Sequence, residues 1–573
     1  MKTVIKYLKE FQGKMILGLV IKIIGSVAEL MLPYILSHIL ANALGRSVGD
    51  ILFWGILMLA CSGVACVFNI VANRMAAEVS SNFARNMRKD LFIKTLKLSA
   101  RQTDKFTIPS LESRITSDTY NVHHFVNMMQ RMGIRAPIML TGGIIMTLLM
   151  DAHLSLVMIA MSPFIFVTVY FISKKGVPLY TKVQRSVDSM VRVVREDSQG
   201  IRVIKALSKT DYEHRRYDEV NSALVKDETR AGVIMSSVHP IMMALMNLGI
   251  VAVIAIGALR VSKGLSKPET IIAFMQYFTH ISMSLMVVTR IFVMYTKSAA
   301  SASRIEEVLL CGEDITLCKK ADYPNKATDA HIEFCNVTFS YKGKRKNLKD
   351  INFKLKKGES LGIIGATGSG KSTLIKLLLR FYDIDEGSIY INGEDIRTID
   401  KQRFYKMFGS ALQYDFLFAD TIEENINFGR NISHQDIREA ARIAQASDFI
   451  ESFSDGYDHM LAQHGSNLSG GQKQRVLISR ALAAKPEILI LDDSSSALDY
   501  KTDAALRRAL SENLHETTVI TVAQRVSSVK DCSLILVLDE GEIIGAGSHE
   551  ELLSSCSHYR EISESQMGGA FVE

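Results

Sequence analysis

The sequence predicts an all-α transmembrane domain of six helices, followed by an α/β domain built around a phosphate-binding loop. Two observations predict this order. Residues 1–300 contain long apolar runs of the kind that span a bilayer, whereas residues 331–573 alternate short apolar strands with helical segments, as soluble α/β domains do. A GxxxxGKS segment in the second part follows directly on a predicted strand, which is the context that such a loop requires.

Six apolar runs define the predicted membrane domain, since a helix needs about 20 apolar residues to cross the hydrocarbon core. They are Met15–Leu40, Ile51–Val71, Ala136–Met150, Leu154–Ile172, Val233–Leu259 and Ile271–Thr289. Lys22 and Glu29 stand inside the first run, seven positions apart and therefore on one face of the helix. This spacing allows a structural ion pair between them, and it also allows a functional role within the membrane.

Basic residues concentrate in two long loops, residues 72–135 and 173–232, whereas the short loops carry few. Because basic loops remain in the cytoplasm, both long loops and both termini are predicted to be cytoplasmic. The net charge of +7 is therefore explained by a membrane and its lipids, and no nucleic-acid partner is expected. The seven cysteines form no CxxC pair and no zinc-type spacing, so free thiols are expected.

Both long loops have a helical pattern. Apolar residues recur at helical spacing through Phe83–Leu98 and Val187–Leu207. At 1.5 Å per residue, thirty-odd helical residues reach roughly 40–50 Å beyond the membrane, so each loop is predicted to form a helical hairpin. The turns of these hairpins are predicted at residues 107–110 and 208–217.

The apolar character ends near residue 300, and residues 301–330 are charged and contain Pro324. This segment is predicted to be a linker between a membrane domain, residues 1–300, and a soluble domain, residues 331–573. In the soluble domain, the predicted strand Glu359–Ile364 leads into the phosphate-binding loop, and a helix follows from Leu374.

The loop supplies the groups that a nucleoside triphosphate needs. Its glycines let backbone N–H groups turn toward the β- and γ-phosphates, Lys371 adds a positive charge, and Ser372 offers a hydroxyl to Mg²⁺. A second buried strand ends in Asp492, which is placed to hold the Mg²⁺ ion. The predicted binding residues of the loop are Gly365, Thr367, Gly368, Ser369, Gly370, Lys371, Ser372 and Thr373. Together they predict a P-loop NTPase fold with ATP and Mg²⁺ as ligands.

Between these two segments stands Leu468-Ser469-Gly470-Gly471-Gln472. This LSGGQ sequence resembles the signature of the ATP-binding cassette (ABC) superfamily, and the order of membrane domain and cassette is similar to that of bacterial ABC exporters of drugs and peptides. The resemblance implies ATP-driven export across the bacterial cytoplasmic membrane by a dimer. It also implies that each ATP lies between the phosphate-binding loop of one chain and the LSGGQ of the other, here Ser469, Gly470, Gly471 and Gln472.

Further residues take their roles from this resemblance alone. Tyr341 is similar to the aromatic residue that stacks on adenine, and Gln413 is similar to the glutamine that contacts Mg²⁺ and water. Asp499 is similar to the last residue of the D-loop, which crosses to the partner cassette. Residues 108–114 and 209–216 resemble the coupling helices that press on the cassettes.

Three residues depart from the family pattern. Asp493 stands where the family has the glutamate that orients the attacking water, and its side chain is one methylene shorter. Gln524 replaces the switch histidine and lacks imidazole chemistry, and Gln463 replaces a glutamate upstream of LSGGQ. Because a displacement near 1 Å costs about 100-fold in rate, the chain's own site is expected to hydrolyse ATP slowly. Its catalytic residues are predicted to be Asp493, Gln524 and Gln413.

A homodimer would contain the altered residues in both of its ATP sites, whereas a heterodimer would contain them in only one of the two sites. The sequence therefore predicts a second ABC half-transporter chain as partner, whose ATP site the intact LSGGQ completes. An active homodimer is one alternative, because aspartate orients water weakly. An ATP-binding regulatory subunit without transport is another. The expected substrate is hydrophobic or amphipathic, such as a drug, a lipid or a small peptide.

Overall fold

The computed structural model describes residues 2–43, 48–341, 343, 345–413, 415–494 and 496–567. The chain forms two compact units. The first comprises Met1–Lys97 and Phe106–Cys311, and the second comprises Leu98–Lys105 and Gly312–Glu573. The last helix of the first unit continues to Leu309, so helix extends into the segment that the sequence predicts as a linker.

The first half of the chain is helical. Its helices are α1 (Lys2–Leu8), α2 (Gln12–Ala43), α3 (Val48–Leu96), α4 (Ala100–Phe106), α5 (Ile108–Ser113), α6 (Thr119–Met128), α7 (Ile134–Met150), α8 (Ala152–Ala206), α9 (Thr210–Ser236), α10 (Val238–Ser262) and α11 (Pro268–Leu309). Two π-helical segments, Arg114–Asp118 and Met129–Gly133, join α5 to α6 and α6 to α7.

Within the described residues, five helical stretches are long and apolar enough to cross a membrane. They are Thr3–Ala41, Val48–Leu96, Ile108–Met150, Thr210–Ser262 and Pro268–Leu309. A shorter apolar stretch, Ala152–Thr168, begins α8 and contains most of the fourth predicted run. Side chains such as Ile56, Leu59 and Ile70 on α3 are more than 60% exposed, as expected for a helix face that contacts lipid.

The long helices of the predicted hairpins are confirmed, because α3 contains 49 residues and α8 contains 55. The second turn is at Ser208, whose φ of +53° lies between the end of α8 and the start of α9, at the beginning of the predicted range. The first turn is longer than predicted. It includes the short helix α4 and Thr107, whose φ of +63° lies at the beginning of the predicted range.

Lys22 and Glu29 do not pair with each other, and the ion pair expected between them is wrong. The Nζ of Lys22 donates to the Oδ1 atoms of Asn69 (2.7 Å) and Asn73 (3.1 Å) on α3. Glu29 instead accepts from Arg135 on α7. The face of α2 that carries both charges meets α3 and α7. Side chains of α3 bind Lys22, and a side chain of α7 binds Glu29.

The core of the first unit lies where α2, α7, α8, α10 and α11 pack together. Tyr277 of α11 is fully buried and its hydroxyl donates to the carbonyl oxygen of Leu30 at 2.7 Å. Phe274, Phe278 and Met158 are buried beside it, each less than 2% exposed. This apolar cluster fixes the helices that surround the charged groups of α2 and α7.

The second unit contains two sheets. Its strands are β1 (Ile332–Phe339), β2 (Leu348–Leu355), β3 (Ser360–Gly365), β4 (Glu386–Ile391), β5 (Glu394–Asp395), β6 (Phe408–Ala411), β7 (Ile488–Asp492), β8 (Thr518–Val522), β9 (Leu534–Asp539) and β10 (Glu542–Gly547). An antiparallel sheet has the order β2-β1-β4-β5, and a six-stranded sheet has the order β10-β9-β3-β8-β7-β6. In the larger sheet all pairs are parallel except β10 with β9.

The second unit also contains helices. They are α12 (Lys371–Leu378), α13 (Lys401–Lys406), α14 (Ile422–Asn427), α15 (His434–Ile443), α16 (Ser447–Glu451), α17 (Gly470–Ala483), α18 (Tyr500–Asn513), α19 (His549–Ser555) and α20 (Ser557–Met567). All five residues of β7 are buried, as expected for a parallel strand covered on both faces. The predicted fold class, a helical transmembrane domain followed by an α/β P-loop domain, is confirmed.

Residues Leu98–Lys105 fold as part of the second unit. Ala100 packs against the apolar core of that unit. The hydroxyl of Tyr382 donates to the Oδ2 of Asp104 at 2.5 Å, and the Nε2 of Gln102 donates to the carbonyl oxygen of Gly312 at 2.6 Å. Residues 108–114, which the resemblance assigns to the first coupling helix, belong instead to the first unit.

Candidate functional site

The phosphate-binding loop connects the end of β3 to the start of α12. Gly368 and Gly370 have φ values of +86° and +109°, a region that favours glycine. A Cβ on Gly370 would also lie 2.7 Å from the Cδ2 of Leu348. The predicted strand–loop–helix arrangement is therefore present, and two of its glycines are required by the backbone itself.

Lys371 turns back over this loop. Its Nζ donates to the carbonyl oxygens of Gly365 and Ala366, both at 2.8 Å. Burial lowers the pKa of Lys371, while Asp492 and Asp493 act in the opposite direction. The buried hydroxyl of Ser369 has no hydrogen-bond partner among the described residues. A loop with a cation and a spare buried donor fits the phosphates of a nucleotide.

Asp492 lies at the carboxyl end of β7 and is 5% exposed. Burial raises the pKa of Asp492, and a hydrogen bond from Ser372 opposes this shift. A carboxylate and a hydroxyl side by side are oxygen ligands of the kind that Mg²⁺ prefers, and Gln413 adds an amide at the same cleft. The residues present therefore fit a Mg²⁺ ion, which would neutralise phosphate charge when bound.

Asp493 stands between two glutamine side chains. The Nε2 atoms of Gln413 and Gln524 each lie 3.4 Å from its Oδ2. Its backbone has a φ of +52°, an uncommon value for a residue other than glycine, and its N–H donates to the carbonyl oxygen of Val522 at 2.9 Å. Burial raises the pKa of Asp493, and Lys371 is the first of the groups that oppose the shift.

These groups line one cleft of about 310 Å³ in the second unit. Its lining residues are Asn347, Thr367, Gly368, Gly370, Lys371, Ser372, Thr373, Gln413, Asp492, Asp493, Val522, Ala523 and Gln524. Asn347 was not predicted from the sequence. It stands directly before β2 and belongs to no sequence motif. Its Oδ1 accepts a hydrogen bond from the N–H of Tyr341 at 3.1 Å, which holds its side chain next to the phosphate-binding loop.

Tyr341 lies beside this cleft rather than in its lining. Its hydroxyl is 3.3 Å from the Oγ1 of Thr373. Its ring meets those of Phe339 and Tyr382 edge-on, with centroids 4.9 Å and 5.1 Å away, and the Nζ of Lys376 lies 5.8 Å from its centroid. The aromatic residue is thus held next to the phosphate-binding loop by rings on two sides.

The LSGGQ residues and Asp499 lie outside the residues that line the cleft. Ser469 caps α17 in a capping box, in which its Oγ accepts from the N–H of Gln472 at 3.3 Å and the Oε1 of Gln472 accepts from the N–H of Ser469 at 2.9 Å. A Cβ on Gly470 or Gly471 would approach Ala497, at 3.6 Å and 3.1 Å respectively. Asp499 caps α18 by accepting from the N–H of Thr502 at 2.9 Å.

The predicted site residues therefore form two groups on the second unit. One group surrounds the phosphate-binding loop and holds cationic, hydroxyl and carboxylate groups for a nucleotide and a metal. The other group presents the N-terminus of α17, whose free N–H groups suit an anion. Asp493 is the carboxylate of the cleft that lies within 3.4 Å of the side-chain amides of both Gln413 and Gln524.

Comparisons with known proteins agree with this geometry. Residues 15–285 match the ABC transporter transmembrane region, and residues 348–496 match the ABC transporter family. The ABC transporter ATP-binding protein YfiB of Bacillus subtilis is 33% identical over 571 residues, 99% of each chain. YfiC of the same organism is 31% identical over 568 residues, which cover 99% of this chain and 94% of YfiC.

A protein of Mycobacterium tuberculosis, the ABC transporter ATP-binding protein Rv1273c, is 30% identical over 573 residues, 99% of this chain and 98% of its own. Among solved structures, a bacterial Atm1-family ABC exporter with ATP bound has the same fold, with a TM-score of 0.81 at 24% identity over 97% of this chain and 98% of that chain. Both halves of this chain are thus accounted for, and it belongs to the ABC transporter family as a membrane-embedded transporter whose cassette binds and hydrolyses ATP.

Proposed function

We propose that this chain exports a hydrophobic or amphipathic substrate, such as a drug, a lipid or a small peptide, across the bacterial cytoplasmic membrane. Its termini and its basic helical loops lie on the cytoplasmic side in this proposal, because basic loops are retained there. ATP binding closes two cassettes, and the helices that continue into the cytoplasm transmit this closure to the membrane domain. The exporter fold supports this direction of transport.

The chain works as one subunit of a heterodimer, and its own ATP site hydrolyses slowly. The observation that supports this is the position of Asp493, whose Oδ2 lies 3.4 Å from the amide nitrogens of both Gln413 and Gln524. Both neighbours act there as donors, and neither can accept a proton in place of the histidine. A shorter acid without a basic neighbour is a weak device for activating water.

The remaining residues divide between two composite sites. Lys371, Ser369 and the loop glycines hold the phosphates of the chain's own ATP, Tyr341 stacks on its adenine, and Ser372, Asp492 and Gln413 hold Mg²⁺. The N-terminus of α17, with Ser469 through Gln472, faces the ATP of the partner chain. Asp499 lies at the interface between the cassettes, and the partner supplies the glutamate and histidine that this chain lacks.

The test compares ATP hydrolysis by the chain alone in lipid nanodiscs with that of its Lys371→Ala variant. We expect the two rates of ATP hydrolysis to be indistinguishable, because the site is nearly inactive before the lysine is removed. A wild-type rate more than about 10-fold above the variant would show that Asp493 is an effective base and that the chain is a homodimeric exporter. Binding of a fluorescent ATP analogue by the wild type controls for correct folding.

A further inference from the structure

Charged and polar side chains form a cluster inside the helical bundle of the first unit. Lys22, Ser26 and Glu29 share one face of α2, and Arg131 and Arg135 lie on the helical stretch that crosses it. We call these five residues the α2–α7 cluster. Lys22 is 3% exposed, and Ser26 is fully buried with no partner for its hydroxyl among the described residues.

The α2–α7 cluster has an excess of positive charge. Lys22 lies within electrostatic reach of Arg131, Arg135 and Glu29, so three cations share one carboxylate. Glu29 is paired with Arg135, and Lys22 is solvated by two uncharged asparagine side chains of α3. Arg131 is exposed and forms no ion pair or hydrogen bond with any residue that the structure describes. No described carboxylate therefore balances Lys22 and Arg131.

The depth of these residues follows from the helix rise of 1.5 Å per residue. Glu29 lies about 21 Å from the end of α2 at Ala43, and Arg135 lies about 22 Å from the end of α7 at Met150. Because the hydrocarbon core is about 30 Å thick, both residues lie within it, in the half nearer to the long basic loops. Lys22 and Arg131, about 31 Å and 28 Å from the same helix ends, lie at its border.

A cation within the hydrocarbon core, such as Arg135, rarely faces lipid tails, because its desolvation is costly, and it faces the bundle interior or a water-filled cavity instead. The backbone at Arg131 is also unusual. Met129–Gly133 forms a π-helical segment between α6 and α7, and such segments occur frequently at functional sites. The buried hydroxyl of Ser26 adds a donor without a partner at the same place.

We infer that the α2–α7 cluster binds the anionic head group of an amphipathic molecule whose apolar tail lies along the neighbouring helices. This inference rests on the proposed export function only in taking the molecule to be a transported substrate. Arg131 is the primary contact, since it has no competing partner, and Lys22 supports it by its charge. The same chemistry occurs in anionic membrane lipids, so the source of the head group is part of the test.

The experiment measures binding to the purified full-length chain in detergent by native mass spectrometry, without nucleotide. The probes are oleoyl lysophosphatidate, monooleoylglycerol, which has the same acyl chain without the phosphate, and inorganic phosphate. We expect lysophosphatidate to bind about 10-fold more tightly than monooleoylglycerol. Inorganic phosphate alone is expected to bind weakly, because it lacks the tail.

Arg131→Gln should reduce lysophosphatidate binding about 5- to 10-fold and leave monooleoylglycerol binding unchanged. The matched control is Lys174→Gln, which removes an exposed cation at a similar depth on α8, about 33 Å from its first residue, and should change binding by less than about 2-fold. Equal affinity for both oleoyl probes, or an equal loss in both variants, would overturn the inference.

A competition with dioleoyl phosphatidylglycerol distinguishes the two sources of the head group. If this lipid displaces lysophosphatidate, the site takes its anion from the bilayer. If it does not, the site is selective for a single-chain amphipath such as a transported substrate. Because the assay contains no ATP, failure of this inference and failure of the proposed degenerate ATP site are observed separately.

Discussion

The side-chain amide of Gln524 lies 3.4 Å from the Oδ2 of Asp493, so the two residues of the ATP cleft that depart from the ABC pattern meet at one carboxylate oxygen. Asp493 follows the end of β7 and Gln524 follows the end of β8, and these two strands are neighbours in the sheet. Their effects on water activation are therefore coupled, and each is best measured in the presence and absence of the other.

Restoring the family residues should activate the chain's own site. Asp493→Glu together with Gln524→His is expected to raise ATP hydrolysis by about 10- to 100-fold, because the longer acid reaches the water and the imidazole adds acid–base chemistry. The measurement is steady-state phosphate release by the chain in nanodiscs. Addition of Lys371→Ala to the double variant should remove the gain, and a double variant no faster than the wild type would contradict the proposed degeneracy.

Asp492→Asn should stabilise the cassette without nucleotide and weaken its response to ATP. Burial raises the pKa of Asp492, so the folded state binds a proton more readily than the unfolded state, and stability falls as pH rises through that raised pKa. Asparagine carries no charge, so the variant should not lose stability in this way. Its advantage in free energy of unfolding over the wild type should shrink as the pH is lowered toward the ordinary pKa of aspartate. Thermal unfolding followed from about pH 4, near the ordinary aspartate pKa, to about pH 8 measures this difference.

The same variant should lose most of the stabilisation by Mg-ATP. At 100 times its Kd a ligand stabilises a protein by about 2.7 kcal/mol, and we expect less than about half of this in Asp492→Asn at the same concentration. An unchanged response to Mg-ATP would exclude Asp492 as a metal ligand. Asp503→Asn, which removes a buried carboxylate from α18, serves as the matched control and should keep the full response.

Arg304→Gln should destabilise the first unit by about 2–3 kcal/mol, because it leaves Asp118, which is 2% exposed, without its cation. Ser301 donates to the same carboxylate at 2.8 Å and limits the loss. The comparison is Arg508→Gln, which breaks an exposed pair with Glu512 and should change stability little. Unfolding temperatures in detergent report both, and equal shifts would contradict the role of burial.

Tyr382→Phe should loosen residues Leu98–Lys105 from the second unit. The hydrogen bond from its hydroxyl to Asp104 is expected to contribute about 1 kcal/mol, which corresponds to roughly 5-fold faster hydrogen exchange in that segment. Exchange followed by mass spectrometry resolves the peptide. Tyr405→Phe is the control, since its hydroxyl has no hydrogen bond with any described residue, and equal changes in both variants would refute the assignment.

The elements that the sequence predicted well are those whose information is local. The phosphate-binding loop is a contiguous stretch in which glycine backbones, Lys371 and Ser372 follow one another between a strand and a helix. The apolar runs are also continuous, because a helix that spans a bilayer must satisfy its own backbone. Both features can be recognised without knowing which other part of the chain lies nearby.

Contacts between distant segments could not be predicted in this way. Lys22 and Glu29 share a helix face, but the asparagines of α3 and Arg135 of α7 are available at that face and take both charges. Asn347 stands outside any motif and reaches the cleft only through the packing of β2. The hydrogen bond between Asp104 of α4 and Tyr382 joins residues that are far apart in sequence.

The folding of Leu98–Lys105 into the second unit means that this cassette is not a continuous piece of the gene. A cassette expressed from Gly312 onward would lack Ala100 and Asp104, and it would expose part of its apolar core together with an unbonded Tyr382 hydroxyl. Such a fragment should be prone to aggregation, and supplying residues 98–105 as a fused or added peptide should improve its solubility.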